Sequence, residues 1–201
     1  MQTIPYGASP YAQRFTGEFL TAVHPVPNFS VCGGNAFSWS IRFCATRPAG
    51  DASLIQQEGI FMLGTKEGKL FYSAAGLGEL NSGDGYTLQE NVWYTVLVTY
   101  GQSELSLYID GVRVASKTVS AASKVGNADY QIGRLFQGFI AHVRLYNFQL
   151  SPEQAKNEYK SDPLEQSKLE LALNSPRTPH RSLEKTIFPL QTNRSTHPKP
   201  P

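Results

Sequence analysis

The strongest alternation of apolar and polar positions lies in Trp93–Ser116, where three short apolar runs are separated by turn residues. Its side chains alternate with a period of two, and β-branched and aromatic residues dominate, which is typical of half-buried strands. Between the second and third runs, Asp110–Gly111 supplies the two positive φ values that a type I′ turn needs. The stretch therefore predicts an antiparallel meander.

Two other segments alternate in the same way. In Phe37–Cys44, the aromatic and aliphatic residues alternate with Ser, Arg and Cys. We expect the former to pack in a core and the latter to lie on the opposite face of the strand. Gly138–Asn147 predicts a strand with four apolar residues on one face: Phe139, Ala141, Val143 and Leu145. Trp39 and Trp93 both occupy the apolar side of their strands in this interpretation, so we expect both to be buried.

Glycines, prolines and polar residues divide the remaining chain. Gln13–Val23 predicts an edge strand or a hairpin around Gly17, and Ala74–Gln89 predicts a long glycine-rich loop. Two further strands are expected at Gly59–Leu63 and Lys69–Ser73.

A change of period marks one helix after these strands. Ser151 is followed by Pro152 and by Gln154, which combines a capping box with a proline at the first helical position. We expect this helix to run to about Lys160. The patterns together predict an all-β domain with one short C-terminal helix.

Length and composition favour one domain rather than two. Of the 201 residues, we assign 1–10 to an irregular leader, 11–174 to the domain and 175–201 to a flexible, proline-rich basic tail or linker. The formal net charge of +2 is too small to indicate nucleic-acid binding, and no apolar run approaches the length of a membrane span. The first residues lack the basic start and apolar stretch of a signal peptide, so they assign no compartment.

The two cysteines, Cys32 and Cys44, are expected to be free thiols. Cys44 ends the strand predicted at Phe37–Cys44, and a strand advances about 3.3 Å per residue. Cys44 should therefore lie far from the Gly33–Gly34 turn beside Cys32, whereas a disulfide needs Cα atoms within about 7 Å.

The order of six motifs resembles the laminin-G-like group of the concanavalin A-like lectin/glucanase superfamily. They are FSWSIRF at Phe37–Phe43, WYTVLVTY at Trp93–Tyr100, LSLYIDG at Leu105–Gly111, IGR at Ile132–Arg134, GFIAHVRLYN at Gly138–Asn147 and LSPEQ at Leu150–Gln154. The resemblance implies a jelly-roll sandwich of two antiparallel sheets, with ligands bound at the rim loops or on the concave face. It also implies an extracellular or cell-surface setting. Because this fold carries lectins, adhesion modules and hydrolases, it does not fix the ligand.

The positions that would supply calcium ligands in this family are changed. Many relatives carry acidic residues in the strand equivalent to Gly138–Asn147, where this chain has Ala141 and His142. The early Phe-Asp-Gly of the family is Phe-Thr-Gly at residues 15–17. Calcium takes about 6–8 oxygen ligands that usually include carboxylates, so we expect no calcium site of the family type and no other cofactor. None of the four histidines has metal-ligand spacing.

A catalytic function is not expected. Retaining glycosidases of the superfamily carry acids in the pattern Glu-x-Asp-x-x-Glu, which places two carboxyl groups about 5 Å apart. This pattern is absent, and Glu58, Glu104 and Asp110 are isolated acids at or near strand ends. No nucleophile-elbow motif supports a Ser-His-Asp arrangement. A divergent hydrolase is the least favoured interpretation, and we assign no catalytic residue.

The favoured function is carbohydrate binding by a non-catalytic, lectin-like module. A sugar site combines an aromatic platform with side chains that bond vicinal hydroxyl groups, and binding residues concentrate on loops. The seven candidate ligand-binding residues on two such loops are Asp84, Tyr86, Asp129, Tyr130, Arg134, Phe136 and Gln137. The alternative is a structural or adhesion module that binds a protein partner through a sheet face or the rim loops.

Overall fold

The computed structural model describes residues 12–22, 36–120, 126 and 128–160. These residues form twelve strands in two six-stranded sheets, and one helix follows the last strand. Every strand pair is antiparallel. The prediction of an all-β sandwich with one short C-terminal helix is therefore confirmed.

The two sheets divide the strands as follows. In spatial order, the first sheet contains β1 (Gln13–Thr16), β12 (Gln137–Tyr146), β3 (Phe37–Ala45), β8 (Trp93–Gly101), β9 (Glu104–Ile109) and β10 (Val112–Thr118). The second sheet contains β2 (Leu20–Ala22), β11 (Tyr130–Ile132), β4 (Ala52–Gln57), β5 (Phe61–Lys66), β6 (Lys69–Ala74) and β7 (Gly78–Asn81). The helix α1 spans Pro152–Lys160. The face of each sheet turned toward the other sheet is its inner face, and the opposite face is its outer face.

The core lies between the two inner faces and is rich in aromatic rings. Trp39 is 2% exposed, as predicted, and its ring centroid lies 5.0 Å from that of Phe61 and 5.6 Å from that of Tyr130. Val96 and Val98 of β8 enter the same core. Alternate residues of β3 and β8 thus meet across the sandwich, because a strand sends successive side chains to opposite faces.

Three hairpin turns have the backbone that the meander requires. The predicted turn at Asp110–Gly111 has φ values of 51° and 77°. Gln102–Ser103, between β8 and β9, and Glu67–Gly68, between β5 and β6, also have positive φ at both residues. Such turns match the right-handed twist of the strands that they join, which fixes the register of each hairpin.

The segment Gln13–Val23 does not form a hairpin. β1 pairs with β12 in the first sheet, whereas β2 pairs with β11 in the second sheet. The chain passes from one sheet to the other at Gly17, whose φ of 119° is poorly accessible to residues with a Cβ atom. The predicted edge strand is present, and the predicted hairpin is wrong.

The alternation predicted for β12 fails at His142. The register between β12 and β3 shifts between Ala141 and Val143, so His142 is an extra residue in a β-bulge, with a φ of 34°. Val143 and Leu145 consequently pack against the inner core, whereas Phe139 shares the outer face with Ala141. The predicted common face for these four residues is wrong, because one inserted residue reverses a pattern of period two.

Trp93 is half-buried on the outer face of the first sheet, which corrects the prediction that it packs in the core. Its neighbour Tyr94 enters the core between the sheets, so Trp93 points the other way. The guanidinium carbon of Arg42 lies 5.3 Å from the indole centroid, and the ring of Phe139 lies 6.4 Å away. The apolar ring is thus accommodated on the outer face by a cation–π contact and an aromatic neighbour.

Two strands of the second sheet were not predicted. β7 lies inside Ala74–Gln89, which is therefore not a single loop. β4 was not predicted because its sequence, ASLIQQ, has no clear alternation of apolar and polar residues. A register shift between Ser53 and Ile55 explains why β4 lacks a regular pattern. These two strands are essential to the site described below.

The helix begins as its sequence predicts. The backbone N–H of Gln154 donates to the Ser151 hydroxyl at 3.2 Å, and the backbone N–H of Ser151 donates to the Gln154 side-chain oxygen at 2.8 Å. This reciprocal pair satisfies two N–H groups that a helix start leaves without intrahelical partners. The helix extends to Lys160, which is the last described residue.

Cys44 is a free thiol, as predicted, and it is buried on β3. Burial raises the pKa of this thiol to about 11. Cys32, the leader 1–10 and the tail 175–201 lie outside the described residues, so the predictions made for them remain predictions.

Candidate functional site

The outer face of the second sheet carries a row of side chains that can form hydrogen bonds. The register places five residues side by side across five strands: Gln131 of β11, Gln56 of β4, Met62 of β5, Ser73 of β6 and Glu79 of β7. The Gln56 amide nitrogen donates to the Gln131 side-chain oxygen at 2.8 Å. This bond fixes the orientation of both amides, which leaves their other donors and acceptors directed along the face.

Two adjoining cavities lie along this face. One, of about 460 Å³, reaches from the row toward Asp51, Lys66 and Arg134. The other, of about 430 Å³, reaches in the opposite direction toward the Glu58–Gly59 turn and Ala75. Both are lined by the same central residues: Gln56, Met62 and Ser73. The two cavities therefore form one groove, which is called the sheet groove below.

A buried hydroxyl group lines the sheet groove. Ser53 is 3% exposed, and its hydroxyl has no hydrogen-bond partner among the described residues. The register places Gly64 directly opposite Ser53 and Phe71 on the far side of Gly64. The backbone of Ala52 and Ser53 fills the space where a Gly64 side chain would lie, so the absence of a side chain lets β4 pack closely against β5. A buried polar group without a partner is costly, and a ligand in the groove reaches this one only when the Ser53 side chain rotates toward it.

Charged side chains of both signs lie at the Ser53 end of the sheet groove. Lys66 extends over Phe71, with its ammonium group 5.6 Å from the ring centroid. The backbone carbonyl of Arg134 accepts a hydrogen bond of 2.9 Å from the Ser53 N–H, which holds the arginine beside the groove. Asp51 lines the same cavity, as does Glu79 at the opposite edge of the sheet. This end thus offers donors and acceptors without a strong net charge.

Two of the seven predicted ligand-binding residues are core residues. Tyr130 is 5% exposed and packs edge-on against Trp39, and Phe136 is 1% exposed and packs against Phe15 and Phe43. Their rings fill the space between the sheets and leave little surface for a ligand. Tyr130 follows Asp129 and Phe136 lies two residues after Arg134, and these polar neighbours made both resemble exposed loop aromatics.

Asp84 and Tyr86 lie near each other, on the segment between β7 and β8. Asp84 is exposed and forms an ion pair with Lys69, which lowers the pKa of the carboxyl group and raises the pKa of the amine. The Tyr86 ring packs edge-on against Tyr94 at 6.3 Å. Burial and the nearby Asp110 raise the pKa of the Tyr86 phenol to about 12. Tyr86 is therefore a half-buried packing residue rather than an open platform.

The other three predicted residues are distributed over both ends of the sandwich. Arg134 lines the sheet groove at its Ser53 end. Gln137 begins β12, and its backbone carbonyl accepts a bond of 2.9 Å from Thr46. Asp129 is exposed at the start of β11, the opposite end of that strand from Arg134.

The two predicted loops share one end of the second sheet but do not form one compact site. β11, which leads into Arg134, is three strands away from β6, which carries the Lys69 partner of Asp84. At roughly 4.8 Å per strand, this separation is about 14 Å. Arg134 is the one predicted residue that the structure places in the sheet groove.

Most residues of the sheet groove were not predicted from the sequence. Gln56, Met62, Ser73 and Ser53 belong to strands β4, β5 and β6, and none has a notable residue type or motif. They come together only through strand register, which a single sequence does not reveal. Polar residues at outward-facing positions of these strands were the one feature of the sequence that could have indicated a binding face.

The outer face of the first sheet is partly covered by α1, in contrast to that of the second sheet. Leu97 and Tyr108 of this face pack with Leu150 and Ala155, next to and within the helix. The Glu158 carboxylate accepts hydrogen bonds from the Arg144 guanidinium at 2.7 Å and from the Tyr146 hydroxyl at 2.9 Å.

The electrostatics of this helix contact are governed by Arg144. Burial raises the pKa of the Glu158 carboxyl group, but the hydrogen bond and charge of Arg144, together with hydrogen bonds from Tyr146 and Ser40, outweigh it, so the pKa lies below its usual range. The pKa of the Tyr146 phenol rises to about 12 through burial and its bond to Glu158. The helix is thus held by one small apolar cluster and one ionised carboxylate.

Neither a metal cluster nor a membrane-spanning helix is found in the described part of the chain. No group of three or more His, Cys, Asp or Glu side chains there could hold a metal ion. The helix found there is too short and too polar to cross a membrane.

The fold and the sheet groove define a β-sandwich of the lectin-like class with one open sheet face. The sequence profile of the concanavalin A-like lectin/glucanases superfamily, in its laminin-G form, matches residues 21–156. The chain therefore belongs to this superfamily, and the laminin-G-like resemblance is confirmed. Among curated proteins, none matches the chain.

Solved structures share the fold at low sequence identity. A proposed carbohydrate-binding protein from Bacteroides ovatus is 20% identical with a TM-score of 0.62, over 72% of this chain and 45% of its own. Domain 4 of the extracellular arabinanase AbnA from Geobacillus stearothermophilus, solved with arabinotriose, is 15% identical with a TM-score of 0.60, over 74% and 76%. The receptor-binding domain of botulinum neurotoxin D is 14% identical with a TM-score of 0.58, over 74% and 43%. The chain thus spans less than half of the first and third structures, and all three likenesses concern the fold.

Proposed function

We propose that this protein is a non-catalytic carbohydrate-binding module that holds its glycan in the sheet groove. The observation that carries the proposal is the open outer face of the second sheet, where fixed amides, a buried hydroxyl group and charged side chains line one continuous groove. Sugars present many hydroxyl groups, each of which can donate and accept, so such a lining is complementary to them.

The spacing of acids along the sheet groove supports a non-catalytic function. Glycosidases place two carboxyl groups about 5–10 Å apart across the bond that they cleave. Asp51 and Glu58 flank opposite ends of β4, and Glu79 lies on β7, three strands from β4. By strand geometry, the backbone positions are separated by about 14–20 Å, so no two of these acids stand side by side on one strand or on neighbouring strands.

Two of the related structures are consistent with this proposal. The arabinanase domain was solved with arabinotriose, and the Bacteroides ovatus protein is described as carbohydrate-binding. A glycan array run with and without calcium tests the function directly. We expect binding to at least one glycan class, without a calcium requirement, because no described acidic cluster could hold the ion.

Variants of the groove localise any binding that the array detects. Arg134→Ala and Gln56→Ala should each weaken binding about tenfold in calorimetry, because each removes hydrogen bonds to the sugar. Arg113→Ala on the outer face of the first sheet is the matched control and should bind normally. Unchanged affinity in both groove variants would contradict the proposed location.

Protein binding is the second candidate, and one observation favours it. Phe19, Leu20 and Leu135 are exposed apolar residues at one end of the sandwich. They lie close together, because Leu20 pairs with Ile132 and the Leu135 N–H donates to the Gly17 carbonyl at 3.1 Å. Apolar side chains grouped on a rim often mark protein interfaces. Absence of any hit on the glycan array would favour this function.

A further inference from the structure

We infer that the sheet groove binds an internal stretch of a linear polysaccharide, with the sugar chain lying along the strands. This inference rests on the proposed function and specifies its ligand class. It concerns the length, direction and polarity of the groove, which together distinguish a continuous chain from a terminal sugar.

The direction of the groove follows from the residues that line its two halves. From the central row, one cavity follows β4 toward Asp51 and β5 toward Lys66. The other follows β4 in the opposite sense toward Glu58 and β6 toward Ala75. The shared row lies between them, so the groove extends along the strands, and its Ser53 half also widens across the sheet from Arg134 to Glu79.

The length of the groove exceeds that of a short saccharide. Asp51 and Glu58 mark its two ends along β4. Seven residue steps at about 3.3 Å, shortened by the bulge at Leu54, span about 20 Å. A ligand of this length contains several sugar rings.

Both ends of the groove are open among the residues that the structure describes. Asp51 and Lys66 at one end, and Glu58 and Gly59 at the other, are exposed to solvent. No described side chain closes either end as a wall would close a pocket for a terminal sugar. Among these residues nothing therefore confines a sugar chain to the groove, and Gly126 borders the Glu58 end beside Ile60.

The two halves of the groove differ in polarity. The Ser53 half combines Lys66, Arg134, Asp51 and a buried hydroxyl without a described partner, whereas Glu58 is the charged residue of the other half. Directional hydrogen bonds therefore concentrate at the Ser53 end. A short saccharide should occupy that half, and additional sugar rings should extend across Met62 toward Glu58.

A series of oligosaccharides of increasing length tests this inference by calorimetry. The probes are arabinobiose, arabinotetraose and arabinohexaose, followed by cello- and malto-oligosaccharides of the same lengths. In the series that binds, affinity should rise at least tenfold from the disaccharide to the hexasaccharide. The corresponding soluble polysaccharide should compete as well as the hexasaccharide.

Variants at the two ends should respond differently to ligand length. Arg134→Ala should weaken binding of both the disaccharide and the hexasaccharide about tenfold. Glu58→Ala should weaken binding of the hexasaccharide alone, by about threefold to fivefold. Arg113→Ala on the first sheet is the control for both, and thermal melts should show that all three variants remain folded.

The possible outcomes separate the inference from the proposed function. Equal affinity for the disaccharide and the hexasaccharide, or a polysaccharide that fails to compete, would overturn the inference and leave carbohydrate binding intact. Absence of binding to every saccharide in these series and on the array would overturn both. If affinity rises with ligand length but Glu58→Ala does not weaken binding of the hexasaccharide, the direction assigned to the sugar chain would be overturned.

Discussion

The outer faces of the two sheets both carry polar residues, but those of the first sheet are buried and those of the second line an open groove. On the first sheet, Ser38, Ser40 and Arg42 are all buried, and α1 packs over the neighbouring Leu97 and Tyr108. On the second sheet, Gln56, Met62 and Ser73 line an open groove. Alternation alone therefore separates the inner from the outer face, but a later element decides which outer face can bind a ligand.

The largest expected difference between the two faces is in their tolerance of a charge. Ala155→Asp places a carboxylate in the buried cluster beneath α1 and should lower the free energy of unfolding by about 3 kcal/mol or more. Ser73→Asp introduces the same charge on the half-buried open face and should change it by at most about 0.5 kcal/mol. Urea unfolding measures both. Similar losses in the two variants would mean that the second face is also covered.

The helix contact should also depend on pH. Glu158→Gln removes the charge that Arg144 pairs with and should cost about 2 kcal/mol at neutral pH. The folded-state pKa of Glu158 is depressed, so its contribution is present above the ordinary pKa of a glutamate and is lost as the pH falls through the folded value. The difference between wild type and variant should therefore shrink below about pH 4.

A second substitution on the same helix controls for the Glu158 measurement. Glu153→Gln, in the exposed first turn of α1, should have a much smaller effect at every pH. Thermal melts of the three proteins from pH 3 to pH 7 give the comparison. A constant gap between wild type and Glu158→Gln across this range would contradict the assigned role of the carboxylate.

On the open face, removal of a buried hydroxyl should affect binding rather than folding. Ser53→Ala should weaken glycan binding by about 1 kcal/mol, because the hydroxyl, once its side chain rotates toward the groove, can no longer bond to the sugar. Stability should stay the same or rise slightly, because the hydroxyl has no partner among the described residues in the free protein. Calorimetry and melts of Ser53→Ala measure the two quantities, with Ser116→Ala on exposed β10 as the control. A clear loss of stability with unchanged affinity would refute this role.

The fold was largely predictable because its strongest signals are local. The alternation of Phe37–Cys44 and Trp93–Ile109, the Asp110–Gly111 turn and the Ser151 cap each depend on neighbouring residues, and all are present. Two of the failures occur where a single residue breaks the period. His142 forms a bulge and reverses the faces of β12, and Gly17 takes the chain to the other sheet.

The site was much less predictable than the fold. Loop aromatics such as Tyr130 and Phe136 have the residue types of a sugar site, yet tertiary packing buries their rings. Gln56 and Ser73 have unremarkable types, and register alone brings them together. Arg134 was identified because it is polar and close to a turn, and the same turn places it beside the sheet groove.

The smallest expected effect concerns the loop that the sequence favoured. Asp84→Ala removes an exposed ion pair with Lys69, away from the sheet groove. Exposed pairs are screened by water and contribute little, so neither the melting temperature nor glycan affinity should change measurably. Calorimetry alongside Arg134→Ala provides the comparison. Loss of binding in Asp84→Ala with normal binding in Arg134→Ala would return the site to the rim loop.

Nuclear magnetic resonance mapping of the bound glycan tests the central claim most directly. Isotope-labelled protein would be titrated with the tightest-binding oligosaccharide, and backbone amide shifts would be followed on both sheets. We expect the largest shift changes at Gln56, Met62 and Ser73, with none at Leu97 or Tyr108 beneath the helix. Changes confined to the first sheet or to the loop around Asp84 would contradict the assignment of binding to the open face of the second sheet.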